Sequence, residues 1–143
     1  MDLKKGKAFL NSPRRLQNKI RRLQYEIEEL KTSLEPSSVR YDLDRVKSTP
    51  KDLMPETFAK IDELERELKR TQEEKRRIIR KIKDYLSALP ESPEKVILYG
   101  YDVCGKQMEE ISNDLNYSVK HCYNLRNKGI KQLKEPGHER TNH

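Results

Sequence analysis

Cys104, His121 and Cys122 form the only cluster of soft ligands in the chain. On a helix the adjacent His121 and Cys122 point about 100° apart, which suits neither a shared metal ion nor a fourth ligand at zinc spacing. As a nucleophile and base they lack a third group to orient the imidazole. Cys122 falls instead on an apolar position of a helical repeat and reads as a small buried hydrophobe. No glycine-rich phosphate loop is present, and the carboxylates lie on solvated faces with no apolar pocket to shift them. These residues predict no metal, no cofactor and no catalysis; the chain is not expected to be an enzyme.

A different chemistry is written in residues 118–134. They hold Lys120, Arg126, Lys128, Lys131 and Lys134 and no acid, whereas residues 91–117 set Lys95 and Lys106 against Glu91, Glu94, Asp102, Glu109, Glu110 and Asp114. Such a bias suits a helix laid against phosphates, where each contact releases counterions. Met108, Ile111 and Leu115 repeat at helical spacing. Asn116 tolerates the left-handed turn that follows, and Ser118 is a natural cap for a helix with Cys122, Leu125, Gly129, Ile130 and Leu133 inward. Two helices joined by three or four residues, the second capped and basic, make a helix-turn-helix pattern. Its core is expected at Met108, Ile111, Leu115, Cys122, Leu125, Ile130 and Leu133. Ser118, Lys120, His121, Tyr123 and Asn124 would face DNA from the first turns, where base edges are read. Lys128 and Lys131 would meet phosphates further along.

The segment GKQMEEISNDLNYSVKHCYNLRNKGIKQL resembles the region-four helix-turn-helix of sigma factors. The motif positions fall on Met108, Ile111, Ser112, Ser118, Ile130 and Leu133. Upstream, RYDLDRVKSTPKDLMPETFAKIDELERELKRTQEEKRRIIRKI is similar to the helical segment of small prophage proteins grouped with the ArpU and RinA types of phage late-gene regulators. The resemblance spans about residues 40–134. It implies a phage-encoded, sequence-specific binder of double-stranded DNA in the bacterial cytoplasm that activates late genes, with RNA polymerase as a further partner. Gly129 stands where that pattern usually has Ala, Gly100 where an Arg often precedes the Tyr, and Asn116 in place of a turn Gly. A helical Gly costs about 1 kcal/mol against Ala, so the end of the reading helix is expected to be soft.

These residues need elements to hold them. The chain has 143 residues, 38% charged and only 33% hydrophobic, with a formal charge of +7. That is too apolar-poor for one large core and too regularly patterned for disorder. The expected fold is all-α: long coiled-coil-like helices followed by a small C-terminal helix-turn-helix module. A basic leader (1–11) precedes an amphipathic helix (12–34) that starts at Ser12 and Pro13 as cap and first residue. Leu16, Ile20, Leu23, Ile27, Leu30 and Leu34 follow steps of four and three, a heptad seam. Residues 35–55, with Pro36, Pro50 and Pro55, read as a connector. A long helix (56–90) carries Ile61, Leu64, Leu68, Thr71, Lys75, Ile78, Ile82, Tyr85 and Leu89; Thr71 and Lys75 interrupt its stripe. The module occupies 91–134 and a flexible tail 135–143. The apolar run Ala8, Phe9, Leu10 is too short for a signal-peptide core. Nothing approaches the ~18 apolar residues of a membrane span, so no membrane partner is expected.

The charges of the long helices leave their pairing open. The first is basic early (Arg14, Arg15, Lys19, Arg21, Arg22) and acidic late (Glu26, Glu28, Glu29); the second is the reverse. Folding them together antiparallel sets basic beside basic, whereas antiparallel pairing with a second copy sets basic beside acidic. Surface ion pairs contribute too little to decide. A homodimer through these helices and packing within one chain both stand as expectations. Two further functions fit the same pattern: a small terminase-like subunit that recognises DNA for packaging, and a helical protein that binds or inhibits a protein partner.

Overall fold

The computed structural model describes residues 1–35 and 54–135. The chain is all-α. In order come α1 (Leu3–Ser33), α2 (Met54–Ser87), α3 (Pro93–Leu98), a π-helical turn (Tyr99–Val103), α4 (Met108–Leu115) and α5 (Val119–Gln132). Most of the 35–55 connector and of the 135–143 tail lies outside the described residues. None of the described helices is long and apolar enough to cross a membrane.

Two compact units divide the chain: Leu16–Glu74, and Met1–Arg15 together with the residues from Lys75 onward. The expected leader with the first residues of the N-terminal helix, and the last part of the long helix from Lys75, thus belong to the unit that carries the C-terminal helices.

Among the described residues the first unit is a helix pair. Leu23, Ile27, Ile61 and Leu64 are buried together, with Leu30, Leu34 and Leu68 packed against them. Lys19 reaches Glu67 at 3.4 Å and Lys31 reaches Glu65 at 3.2 Å. The two seams therefore close on each other within one chain. Burial of apolar area outweighs exposed charge pairs, so the charge pattern does not decide how these helices pair. Thr71, an interruption of the stripe, is buried, with its hydroxyl donating to the Glu67 carbonyl at 2.8 Å. A hydroxyl so satisfied sits in the seam without an orphaned polar atom.

The second unit corrects the leader. Helix α1 begins at Leu3, not Ser12, and runs through Pro13. Asp2 caps it, its carboxylate accepting from the Lys5 amide at 3.0 Å. Leu10 is buried in a cluster with Ile82, Leu86, Leu89, Leu98, Ile130 and Leu133, and Met1, Leu3 and Phe9 pack against it. Apolar contact thus orders what composition alone read as a basic leader. The seam in fact continues backward through Pro13, Leu10, Gly6 and Leu3, but Gly6 and Pro13 hide it from a search for apolar residues.

Gly6 lets α1 approach α5, since a Cβ there would collide with the Ile130 Cγ2 methyl. Alanine at position 6 gains helix propensity worth about 1 kcal/mol but overpacks a branched side chain that has little room to turn. Gly6→Ala should lower stability by about 1–2 kcal/mol net, read from the midpoint of urea unfolding by circular dichroism.

Candidate nucleic-acid interface

Helix α3 starts at Pro93, with Ser92 extended and its hydroxyl accepting from the Lys95 amide. The chain then widens into a π-helical turn: the Cys104 amide donates to the Tyr99 carbonyl at 3.0 Å, five residues back. Gly105, at φ +73°, redirects it towards α4. A left-handed Asn116 (φ 59°, ψ 39°) ends α4, and its amide donates to the Ser112 carbonyl. Ser118 returns to extended backbone, and its hydroxyl accepts from the His121 amide at 3.0 Å to cap α5. Residues 116–118 are therefore a three-residue turn between two capped helices.

Met108, Ile111 and Cys122 are buried with Ile97, and Leu115 and Leu125 pack against them. Ile130 and Leu133, expected in the same core, lie instead in the cluster with α1 and α2. The reason is length: α5 extends beyond α4, so its last turn meets other helices. Burial raises the Cys122 thiol above its ordinary value, which leaves it unsuited to nucleophilic work. Cys104 is exposed.

Gly129 has a packing role that its helix propensity does not reveal. A Cβ there would lie 2.7 Å from Leu98 Cδ1 and 3.1 Å from Glu94 Cβ, so the missing side chain is what lets α3 and α5 approach. Gly100 likewise faces Ile111, whose Cδ1 would stand 3.2 Å from a Cβ.

Ser118, Lys120, His121, Tyr123, Asn124, Lys128 and Lys131 are all exposed. Lys120, Asn124, Lys128 and Lys131 share one face of α5, at steps of four, four and three. The aromatic members are held from the side: the Tyr117 ring meets His121 edge-on at 4.9 Å, and Tyr101 meets Tyr123 at 6.0 Å. A hydrogen bond with Tyr101, then partial burial, raises the Tyr123 phenol above its usual range. Lys128 faces the Glu94 carboxylate at 3.9 Å, which offsets part of the charge it could offer a phosphate.

Arg126 is the main departure from the sequence reading. Counted there with the basic surplus, it is 4% exposed. Its guanidinium donates to both Asp102 carboxylate oxygens, at 3.0 and 2.8 Å, and to Asn11 Oδ1 at 2.9 Å. Burial pushes the Asp102 carboxyl above its ordinary range, against the opposing pull of Arg126 and Arg14. Periodicity held the missing signal, since Arg126 stands four residues after Cys122 and three before Gly129, in phase with the inward face.

Arg14 is drawn into the same arrangement. It donates to the Tyr101 and Lys106 carbonyls at 2.9 and 3.1 Å, and its guanidinium carbon lies 3.8 Å from the centre of the Tyr101 ring. Arg126 lies 5.0 Å from the same ring, so two cations attend one aromatic side chain. Helix α1 is thereby tied to the π-helical turn, and that turn to the residues beside Tyr123.

No protein-family model, no curated protein and no solved structure matches the chain.

Proposed function

We propose that the chain is a sequence-specific double-stranded DNA-binding protein that places α5 in the major groove. The observation that carries this reading is the exposed row on α5. Lys120, Asn124 and Lys131 project from one side of a Ser118-capped helix whose other side, at Cys122, Arg126, Gly129 and Ile130, is buried. A capped helix after a three-residue turn is the form in which first-turn side chains reach base edges. An amide such as Asn124 can read adenine and a lysine such as Lys120 guanine. The resemblance to prophage late-gene regulators extends the proposal to activation of phage promoters, with RNA polymerase as a second partner.

Selection of bound sequences from random duplex DNA at near-physiological salt tests it. A recurrent motif of a few base pairs is the expected result. Recovery of an unenriched pool would leave only a cationic surface and end the proposal.

A further inference from the structure

We propose that residues 75–83 of α2 form a second duplex-contacting surface, lying along the phosphate backbone outside the reading helix. This rests on the DNA-binding reading above. The stretch KRRIIRKIK holds six cations and no acid. Ile82 is buried and Ile78 packs against the same cluster, while Arg76, Arg77, Arg80, Lys81 and Lys83 are exposed. Among the described residues none of these five pairs with a carboxylate, whereas Lys19, Arg22, Lys31 and Arg66 in the other unit all do.

Arg76 with Arg80, and Arg77 with Lys81, stand four residues apart, a spacing at which like charges weaken a helix. The helix keeps this repulsion with no acid interspersed, and a polyanion would relieve it. The stretch is about 13 Å long, a length over which the two strands of duplex DNA together present about eight phosphates. Arginine in three of the six positions suits bidentate phosphate contact. The basic stretch is also held on the same body as α5, because Ile82, Leu86 and Leu89 share a core with Ile130 and Leu133. Backbone contacts from this stretch would add affinity and orientation without adding base preference.

The test neutralises the surface while keeping the reading helix. Arg76→Gln, Arg77→Gln, Arg80→Gln and Lys81→Gln are combined in the full chain, with circular dichroism to confirm unchanged helicity. Binding to a duplex selected by the wild type and to a random duplex is measured from 50 to 200 mM salt. The slope of log affinity against log salt should become shallower by about 3–4, with equal losses on both duplexes and the selected motif unchanged. An unchanged slope, with the wild type still preferring its motif, overturns this proposal and leaves the reading of α5 standing; the stretch then serves another anionic partner or solvent. A wild type that binds no duplex at any salt overturns both.

Discussion

Arg126→Ala should destabilise the unit that carries α5 by about 3–5 kcal/mol at neutral pH, the cost of stranding a buried charge. Asp102 would keep its buried position and lose both donors. Asp102→Ala strands the guanidinium instead and should cost a similar amount. The two losses separate by pH. Arginine stays charged throughout and Asp102→Ala removes the carboxyl that burial raises in the wild type, so the stability of that variant should itself show no step from this pair across mildly acid to neutral pH. In Arg126→Ala the lone carboxyl can take up a proton. Its folded pKa lies above the unfolded value, so the folded form binds more protons in that window. That group's contribution to stability is complete below the ordinary aspartate pKa and lost as pH rises through the raised one. The Arg126→Ala deficit should therefore grow from acid to neutral pH. The double replacement Asp102→Leu with Arg126→Met, which removes both charges and keeps volume, should recover most of the loss. Urea unfolding of the three variants at several pH values decides the matter. Equal pH profiles for the two single variants would show that Asp102 is not the titrating partner.

Asn124→Ala is expected to leave the fold intact, because the side chain is exposed, and to weaken binding to the selected duplex by about 10- to 100-fold. That loss should be confined to the preferred sequence, relaxing discrimination at one base pair, and Lys120→Ala should do the same at a neighbouring position. Lys131→Ala should lower affinity for every duplex alike and reduce the salt slope by about one. Fluorescence anisotropy with matched and single-mismatch duplexes distinguishes these effects. If Lys120→Ala and Asn124→Ala both leave specificity as it was, α5 does not read bases through this face.

The two results probe different parts of one arrangement. Asp102, Arg126, Asn11, Arg14 and Tyr101 lie beneath or beside α5 and determine how it is held; Lys120 and Asn124 determine what it touches. Variants of the buried group should thus change stability first, and binding through it. Variants of the exposed row should change binding alone.

Much of this was legible beforehand, for physical reasons. Apolar spacing located the helices because a helix that buries one face must repeat every three or four residues. Ser118 and Asn116 marked the turn because a hydroxyl can accept the first free amides and an amide side chain tolerates positive φ. The exposed row on α5 followed from the same phase. Three features did not follow. The ordered start of α1 was masked because Gly6 and Pro13 occupy its inward positions, and Gly6 is inward only because Ile130 lies against it. Gly129 looked like a weakness in isolation and is a close contact in the fold. Arg126 bears a charge of a kind that usually meets solvent, yet its phase on α5 turns it inward, where Asp102 lies.

By itself, then, the order of residues determined the helical class, the position of the three-residue turn and the side chains that α5 exposes, since these depend on backbone preferences and on contacts a few residues apart. Only the tertiary structure decided that the long seams close within one chain, that α1 reaches the C-terminal helices, and that Arg126 and Asp102 neutralise each other in the interior. Those outcomes join residues from 24 to more than 100 positions apart, and whether such groups meet depends on the packing of whole helices rather than on any local preference.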